Sequence, residues 1–96
     1  METDFTIRYH RNSDNLHLKP AGCFDETAAR VLTEALKRNI MGVDKIFVHT
    51  SELGQIESIG REKFHTALSE LAPETVNIIF TGENGGNIIP KGMKIM

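Results

Sequence analysis

Histidine and cysteine are the side chains of this sequence that most readily bind metal ions. The chain has 96 residues, among them four histidines and one cysteine. No two histidines have the H-x-x-x-H spacing of a metal-binding helix, and a single cysteine has no partner at C-x-x-C spacing. We therefore expect no metal site and interpret the histidines as surface residues. They are His10, His17, His49 and His65.

Ser58 is the candidate nucleophile, because it lies between an apolar run and a segment with helical periodicity. The nucleophile elbow G-x-S-x-G is absent, since Ile56 rather than glycine stands two residues before Ser58. A hydrolase triad of Ser58, Asp25 and a histidine is therefore not expected, and no residue is predicted to be catalytic. A hydroxyl at the start of a helix caps it. A phosphate there would face the positive end of the helix dipole.

Three glycines follow the last apolar run, as they do in a phosphate-binding loop. They are Gly82, Gly85 and Gly86. The segment lacks the G-K-[ST] ending of a P-loop and the second half of a dinucleotide fingerprint. It is therefore predicted to be a plain loop, and no cofactor is expected.

Composition excludes several classes of protein. The length predicts a single domain, residues 1–96. A formal charge of −2 argues against nucleic-acid binding, which requires a basic face. No apolar run approaches the ~20 residues of a membrane helix, so direct membrane insertion is not expected. The acidic start resembles no signal peptide, and Cys23 has no partner for a disulfide, which together predict a cytoplasmic location.

Hydrophobic periodicity predicts the elements that position these residues. The first two strands alternate polar and apolar residues and form a hairpin that ends at Pro20. Asp25 caps the first helix, and the last two strands are continuously apolar, as in parallel strands covered on both faces. The predicted strands are Phe5–His10, Leu16–Leu18, Val43–Thr50 and Val76–Phe80, and the predicted helices are Glu26–Asn39 and Arg61–Leu71.

This order, β-β-α-β-α-β, predicts a small α/β domain with a mixed β-sheet of about four to five strands flanked by helices. Leu32, Phe47 and Ile78 are expected in the core, where the parallel strands meet the first helix. The last residues, 93–96, fit either a frayed end or a short final strand.

Two segments together resemble the STAS family, the anti-sigma factor antagonists and their relatives. Residues 21–28, AGCFDETA, are similar to the family pattern G-x-[LF]-D-x-x-[TA]-[AS] before the first helix, and residues 56–60, IESIG, to [IV]-D-[SA]-[ST]-G. The resemblance implies the same mixed sheet, and phosphorylation of Ser58 by a partner kinase that is also an anti-sigma factor. It implies a partner-binding site made of Asp25, Glu57, Ser58, Ile59 and Gly60.

The sequence departs from the family pattern at several positions. Glu57 replaces the usual aspartate, Ile59 replaces the second serine, and His49 stands where a strand-end aspartate or asparagine is common. The helix that usually follows the last strand is mostly missing.

The sequence thus predicts a non-enzymatic regulatory domain that binds a protein partner and is switched at Ser58. One alternative is an unphosphorylated structural subunit of a transporter or signalling complex. A more distant alternative is a small ligand-binding protein or enzyme that uses His49, Ser58 and Asp25. The sequence does not determine the oligomeric state or the partner's identity.

Overall fold

The computed structural model describes residues 5–71, 77–82, 88 and 94–95. Six strands and two helices lie within these residues. The strands are β1 (Thr6–Asn12), β2 (Asn15–Phe24), β3 (Lys45–His49), β4 (Leu53–Ile56), β5 (Ile78–Thr81) and β6 (Lys94–Ile95), and the helices are α1 (Glu26–Asn39) and α2 (Ser58–Leu71).

The strands form one mixed sheet in the order β1-β2-β3-β5-β6, and β4 pairs with the far end of β2. The β1–β2 pair is antiparallel, and all other pairs are parallel. The predicted α/β fold with a mixed sheet is confirmed, and Lys94–Ile95 forms a short final strand. The glycine-rich residues 83–87 lie outside the described residues, so the prediction of a plain loop there stays a prediction.

The predicted hairpin is confirmed, but its second strand does not end at Pro20. β2 continues to Phe24, four residues further. Its parallel pairing with β3 ends at Leu18, and its pairing with β4 begins at Gly22. Pro20 therefore lies between the segment of β2 that pairs with β3 and the segment that pairs with β4. Proline has no N–H to donate, but at this position neither parallel ladder needs one.

The strand β4 was not predicted from the sequence. It has four residues, of which only Ile56 is β-branched, and it includes Gly54. Such a segment has little intrinsic strand preference. It is a strand because β2 extends far enough to pair with it.

Both predicted helices are present. α1 has the predicted bounds, and α2 begins three residues before the predicted start. The reason is a backbone bond from the Arg61 N–H to the Glu57 carbonyl, which makes Glu57 the N-cap position. No helix within the described residues is long and apolar enough to span a membrane.

The core lies between the helices and one face of the sheet. Leu32 and Ile78 are buried there, as predicted. Phe47 is not part of this core, because burial alternates along β3 and the side chain of Phe47 lies on the opposite face. The rings of Phe24, Phe64 and Phe80 join α2 to the same core face.

The last two helix-connected strands, β3 and β5, were predicted to be covered on both faces. This holds for β5, in which Ile78, Ile79 and Phe80 are all buried, but not for β3, which is buried on one face only. α1 and α2 contribute to a single hydrophobic cluster with the even-numbered residues of β2 and β3. The odd-numbered residues of these strands, among them His17 and His49, form what we call the open face of the sheet. They are half-buried or exposed.

Candidate functional site

The two segments that resemble the STAS patterns lie side by side in the fold. β2 and β4 run parallel, with Phe24 paired to Ile56. The Glu57 N–H donates to the Phe24 carbonyl at 3.0 Å. Both strands then lead directly into helices, so the N-termini of α1 and α2 are held at the same edge of the sheet.

Gly60 makes this arrangement possible. A Cβ atom at Gly60 would lie 2.5 Å from the carbonyl oxygen of Phe24 and 2.7 Å from that of Asp25. These are backbone atoms, which cannot rotate away as a side chain can. The first turn of α2 therefore packs against the start of α1 only if residue 60 has no side chain.

Asp25 caps α1, as predicted. Its Oδ1 accepts a hydrogen bond of 2.9 Å from the Ala28 N–H, and its backbone is extended. The carboxylate is half-buried. It satisfies an amide that the helix leaves without a partner, and it complements the helix dipole.

Ser58 is the first residue of α2 and not its N-cap, so the alternative that Ser58 merely caps the helix does not hold. The side chain is exposed, and within the described residues its hydroxyl makes no hydrogen bond. Glu57 and Ile59 on either side are also exposed, Ile59 to 43%. Gly60 is buried and contributes only the close packing described above.

Sequence reasoning missed Cys23 as a member of this group. Its thiol donates to Oε2 of Glu57 at 3.7 Å. Burial raises the pKa of the Cys23 thiol, and the carboxylates of Glu57 and Asp25 raise it further. The sequence did place Cys23 inside the first STAS-like segment. Because β2 was predicted to end at Pro20, however, Cys23 was not recognised as a strand residue next to Glu57.

A second cluster of polar side chains lies on the open face. Nδ1 of His17 and Nε2 of His49 are 2.8 Å apart, and Nδ1 of His49 is 2.7 Å from Oγ1 of Thr81. The two imidazole rings are stacked, 5° from parallel. His17 and His49 were predicted to be surface residues; they lie half-buried on the open face and contact each other, which the sequence did not indicate. His10 is an exposed neighbour with its ring centroid 6.1 Å from that of His17.

The surroundings of His49 also change its pKa. Burial lowers the pKa of His49, and the positive charges of His17 and Lys19 lower it further. His65 is not part of the cluster. Its Nε2 is buried in α2 without a hydrogen-bond partner among the described residues. Among the residues that the structure describes, no group of three or more histidine, cysteine or acidic side chains could hold a metal ion.

Beside this cluster, the residue after β3 is hydrogen-bonded to the end of β5. The backbone N–H and the hydroxyl of Thr50 both donate to the Thr81 carbonyl, at 2.8 and 2.7 Å. Gly82 follows with a φ of +97°, and a Cβ there would lie 2.7 Å from Oγ of Ser51. A residue with a side chain would be strained at this point.

No family model matches the sequence, and no match is found among curated proteins. Solved structures do match. An anti-sigma factor antagonist from Mycobacterium paratuberculosis is 14% identical, with a TM-score of 0.65 over 88% of this chain and 73% of that one. The anti-sigma factor antagonist SpoIIAA in its unphosphorylated form is 16% identical, with a TM-score of 0.64 over 96% of this chain and 86% of that one. The chain therefore has the STAS fold found in anti-sigma factor antagonists.

Proposed function

We propose that the chain is a non-enzymatic, cytoplasmic regulatory domain of the anti-sigma factor antagonist type, switched by phosphorylation of Ser58. The position of Ser58 supports this most directly. Its exposed hydroxyl lies at the first residue of α2 and is accessible to a kinase without any change in the core. The similarity in fold to two anti-sigma factor antagonists supports a protein as the partner.

The proposed partner surface consists of Asp25, Glu57, Ser58 and Ile59, with Gly60 holding the two helix starts together. Ile59 offers an exposed apolar side chain between the polar ones. Asp25 and Glu57 provide negative charge on the same edge, as the raised pKa of Cys23 between them reflects. The partner that fits this surface has an apolar pocket for Ile59, basic groups that face Asp25 and Glu57, and an acidic group opposite the Ser58 hydroxyl. A kinase-like anti-sigma factor is the candidate.

A phosphate on Ser58 would leave the fold intact and change the surface. It adds about −1.5 to −2 charges, which the positive end of the α2 dipole stabilises. A partner that binds the neutral hydroxyl with an acidic group nearby would be repelled. One added pair of like charges at about 6 Å and an effective dielectric constant near 20 costs roughly 2–3 kcal/mol. Binding then weakens by about 30- to 150-fold.

The test is to recover the partner from the source cell, map phosphoserine by mass spectrometry, and measure the affinity of the purified partner. We expect Ser58→Asp to lose affinity by this factor, with an unchanged melting curve, and Ser58→Ala to bind as the unphosphorylated protein does. Ser69→Asp is the matched control, because Ser69 is an exposed serine near the other end of α2. Its affinity should equal that of the wild type.

Equal affinity of the wild type, Ser58→Asp and Ser58→Ala would contradict the switch. Absence of phosphate on Ser58 in the native protein, together with a partner bound through other residues, would favour the unphosphorylated structural subunit instead. Loss of affinity in Ser69→Asp as well would show a general charge effect and not one specific to Ser58.

A further inference from the structure

The open face of the sheet contains a groove that the proposed switch does not use. Its volume is about 400 Å³, within the roughly 300–1,000 Å³ range of small-molecule sites. We call it the histidine groove. The side chains that line it are those of His10, His17, Lys19, His49, Ser51 and Glu52.

The groove lies where small molecules commonly bind in α/β sheets, beside the carboxyl ends of parallel strands. His49 is the last residue of β3, and Ser51 and Glu52 belong to the loop that leads to β4. Its walls are therefore three neighbouring strands, β1, β2 and β3, and one short loop.

The lining of the groove has one lysine and three histidines, in a chain whose net charge is −2. Lys19 follows His17 on the same face of β2. Across the antiparallel pair, Arg8 lies opposite Lys19 and His10 lies opposite His17. Glu52 is the one carboxylate among the lining side chains.

The hydrogen bonds fix how the histidines can carry charge. Both ring nitrogens of His49 are engaged, one by His17 and one by Thr81. Since Nδ1 of His17 faces Nε2 of His49, only one proton fits between them. While the bond is kept, the pair can hold a single positive charge. In the described part of the chain, Nε2 of His17 has no partner and is free to donate to a ligand.

We propose that the histidine groove binds a small phosphorylated molecule. Lys19 and the Nε2–H group of His17 hold the phosphoryl group, and Glu52 accepts a hydrogen bond from a hydroxyl or amine beside it. Lysine binds phosphate as a point charge, and a ring N–H adds a directed donor. The volume of the groove fits a small metabolite and exceeds the needs of a bare ion.

The hydrogen-bonded chain also orients His17 for a ligand. Nδ1 of His17 is occupied by Nε2 of His49, and Nδ1 of His49 is occupied by Oγ1 of Thr81. When the Thr81 hydroxyl donates to His49 and His49 donates to His17, the proton of the His17 ring is on Nε2 and can be donated to the phosphoryl group.

The test is a titration of the full chain, labelled with ¹⁵N, with inorganic phosphate and with sulfate, followed by NMR of the imidazole and amide signals. Sulfate has the same tetrahedral shape as phosphate and should bind at the same place. We expect saturable binding of both anions, with the largest signal changes at the residues that line the groove.

Two variants and a matched control decide the location. Lys19→Gln and His17→Gln should each weaken phosphate binding by about tenfold, the effect of ~1.4 kcal/mol. Lys63→Gln is the control. It removes one positive charge from an exposed position on α2, on the opposite side of the sheet, and should bind phosphate as the wild type does. Urea denaturation of each variant verifies that it is folded.

Several results would overturn the proposal. They are the absence of saturation, equal weakening by Lys63→Gln and Lys19→Gln, and affinity for acetate equal to that for phosphate. None of these measurements involves Ser58 or a protein partner. A failure of this proposal would therefore not contradict the switch at Ser58, and a failure of the switch would not contradict this proposal.

Discussion

Gly60 lies directly against the carbonyl oxygen of Phe24, so that a Cβ atom added at Gly60 would be only 2.5 Å from that oxygen. The contact joins the start of α2 to the end of β2. It explains in physical terms why both STAS-like segments are needed together, because the first segment supplies the backbone on which the glycine of the second segment packs.

Replacement of Gly60 by alanine should therefore destabilise the fold. The added methyl group has no room, and overpacking of this kind costs roughly 1–3 kcal/mol. Gly54→Ala is the control, since a Cβ there would meet its nearest atom at an ordinary 3.6 Å. Urea denaturation measures both. Equal stability of Gly60→Ala and the wild type would show that the two helix starts are not in close contact.

Leu32 and Val31 are neighbours on α1 with opposite exposure, 0% and 44%. Leu32→Ala should reduce the free energy of unfolding by ~2–5 kcal/mol, because it leaves a cavity in the core. Val31→Ala should remain within about 0.5 kcal/mol of the wild type. Comparable losses in the two variants, measured by chemical denaturation, would contradict the assignment of the buried face of α1.

The helices could be predicted because the information for them is local. Asp25, the periodic apolar residues after it and the basic residues Lys37 and Arg38 in the last turn define α1 within a single segment of chain. The start of α2 was placed less well, since Glu57 caps it through a backbone carbonyl that any residue possesses.

Pairing between distant strands could not be predicted in the same way. The strand β4 depends on the extension of β2 past Pro20, and the contact between His17 and His49 depends on the register of β2 with β3. These histidines are 32 residues apart, and no spacing motif signals a parallel register. Phe47 was expected in the core because its apolar neighbours concealed the alternating burial of β3.

Cys23 provides a chemical measurement of the proposed partner surface. Since its pKa is raised by burial and by the carboxylates of Glu57 and Asp25, less of the reactive thiolate is present at neutral pH. We expect Cys23 to be alkylated more slowly in the folded protein than in the unfolded chain. Glu57→Gln should increase the rate in the folded protein, because it removes one of the repelling charges.

The control for this measurement is Glu62→Gln, which removes an exposed carboxylate from the next turn of α2 and should leave the rate unchanged. A rate in the folded wild type equal to that of the unfolded chain would contradict the raised pKa. An equal increase in Glu57→Gln and Glu62→Gln would show that Glu57 has no specific contact with the thiol.

The last prediction concerns His49 and the dependence of stability on pH. Burial and the charges of His17 and Lys19 lower the pKa of His49 in the folded protein. The unfolded chain therefore takes up a proton at His49 at a higher pH than the folded protein does. The resulting contribution to stability is present above the ordinary histidine pKa of about 6.5. It is lost as the pH falls through the lowered pKa of the folded state.

We therefore expect the urea midpoint of the wild type to fall between about pH 7.5 and about pH 5.5, and to fall less in His49→Gln. Glutamine retains an amide that can bond to Thr81 or His17 but does not titrate. His10→Gln is the control, because His10 is exposed and its removal should leave the slope of the wild type. Identical slopes for the wild type and His49→Gln would show that the fold does not hold His49 neutral, and the hydrogen-bonded chain to Thr81 would then need another assignment of its protons.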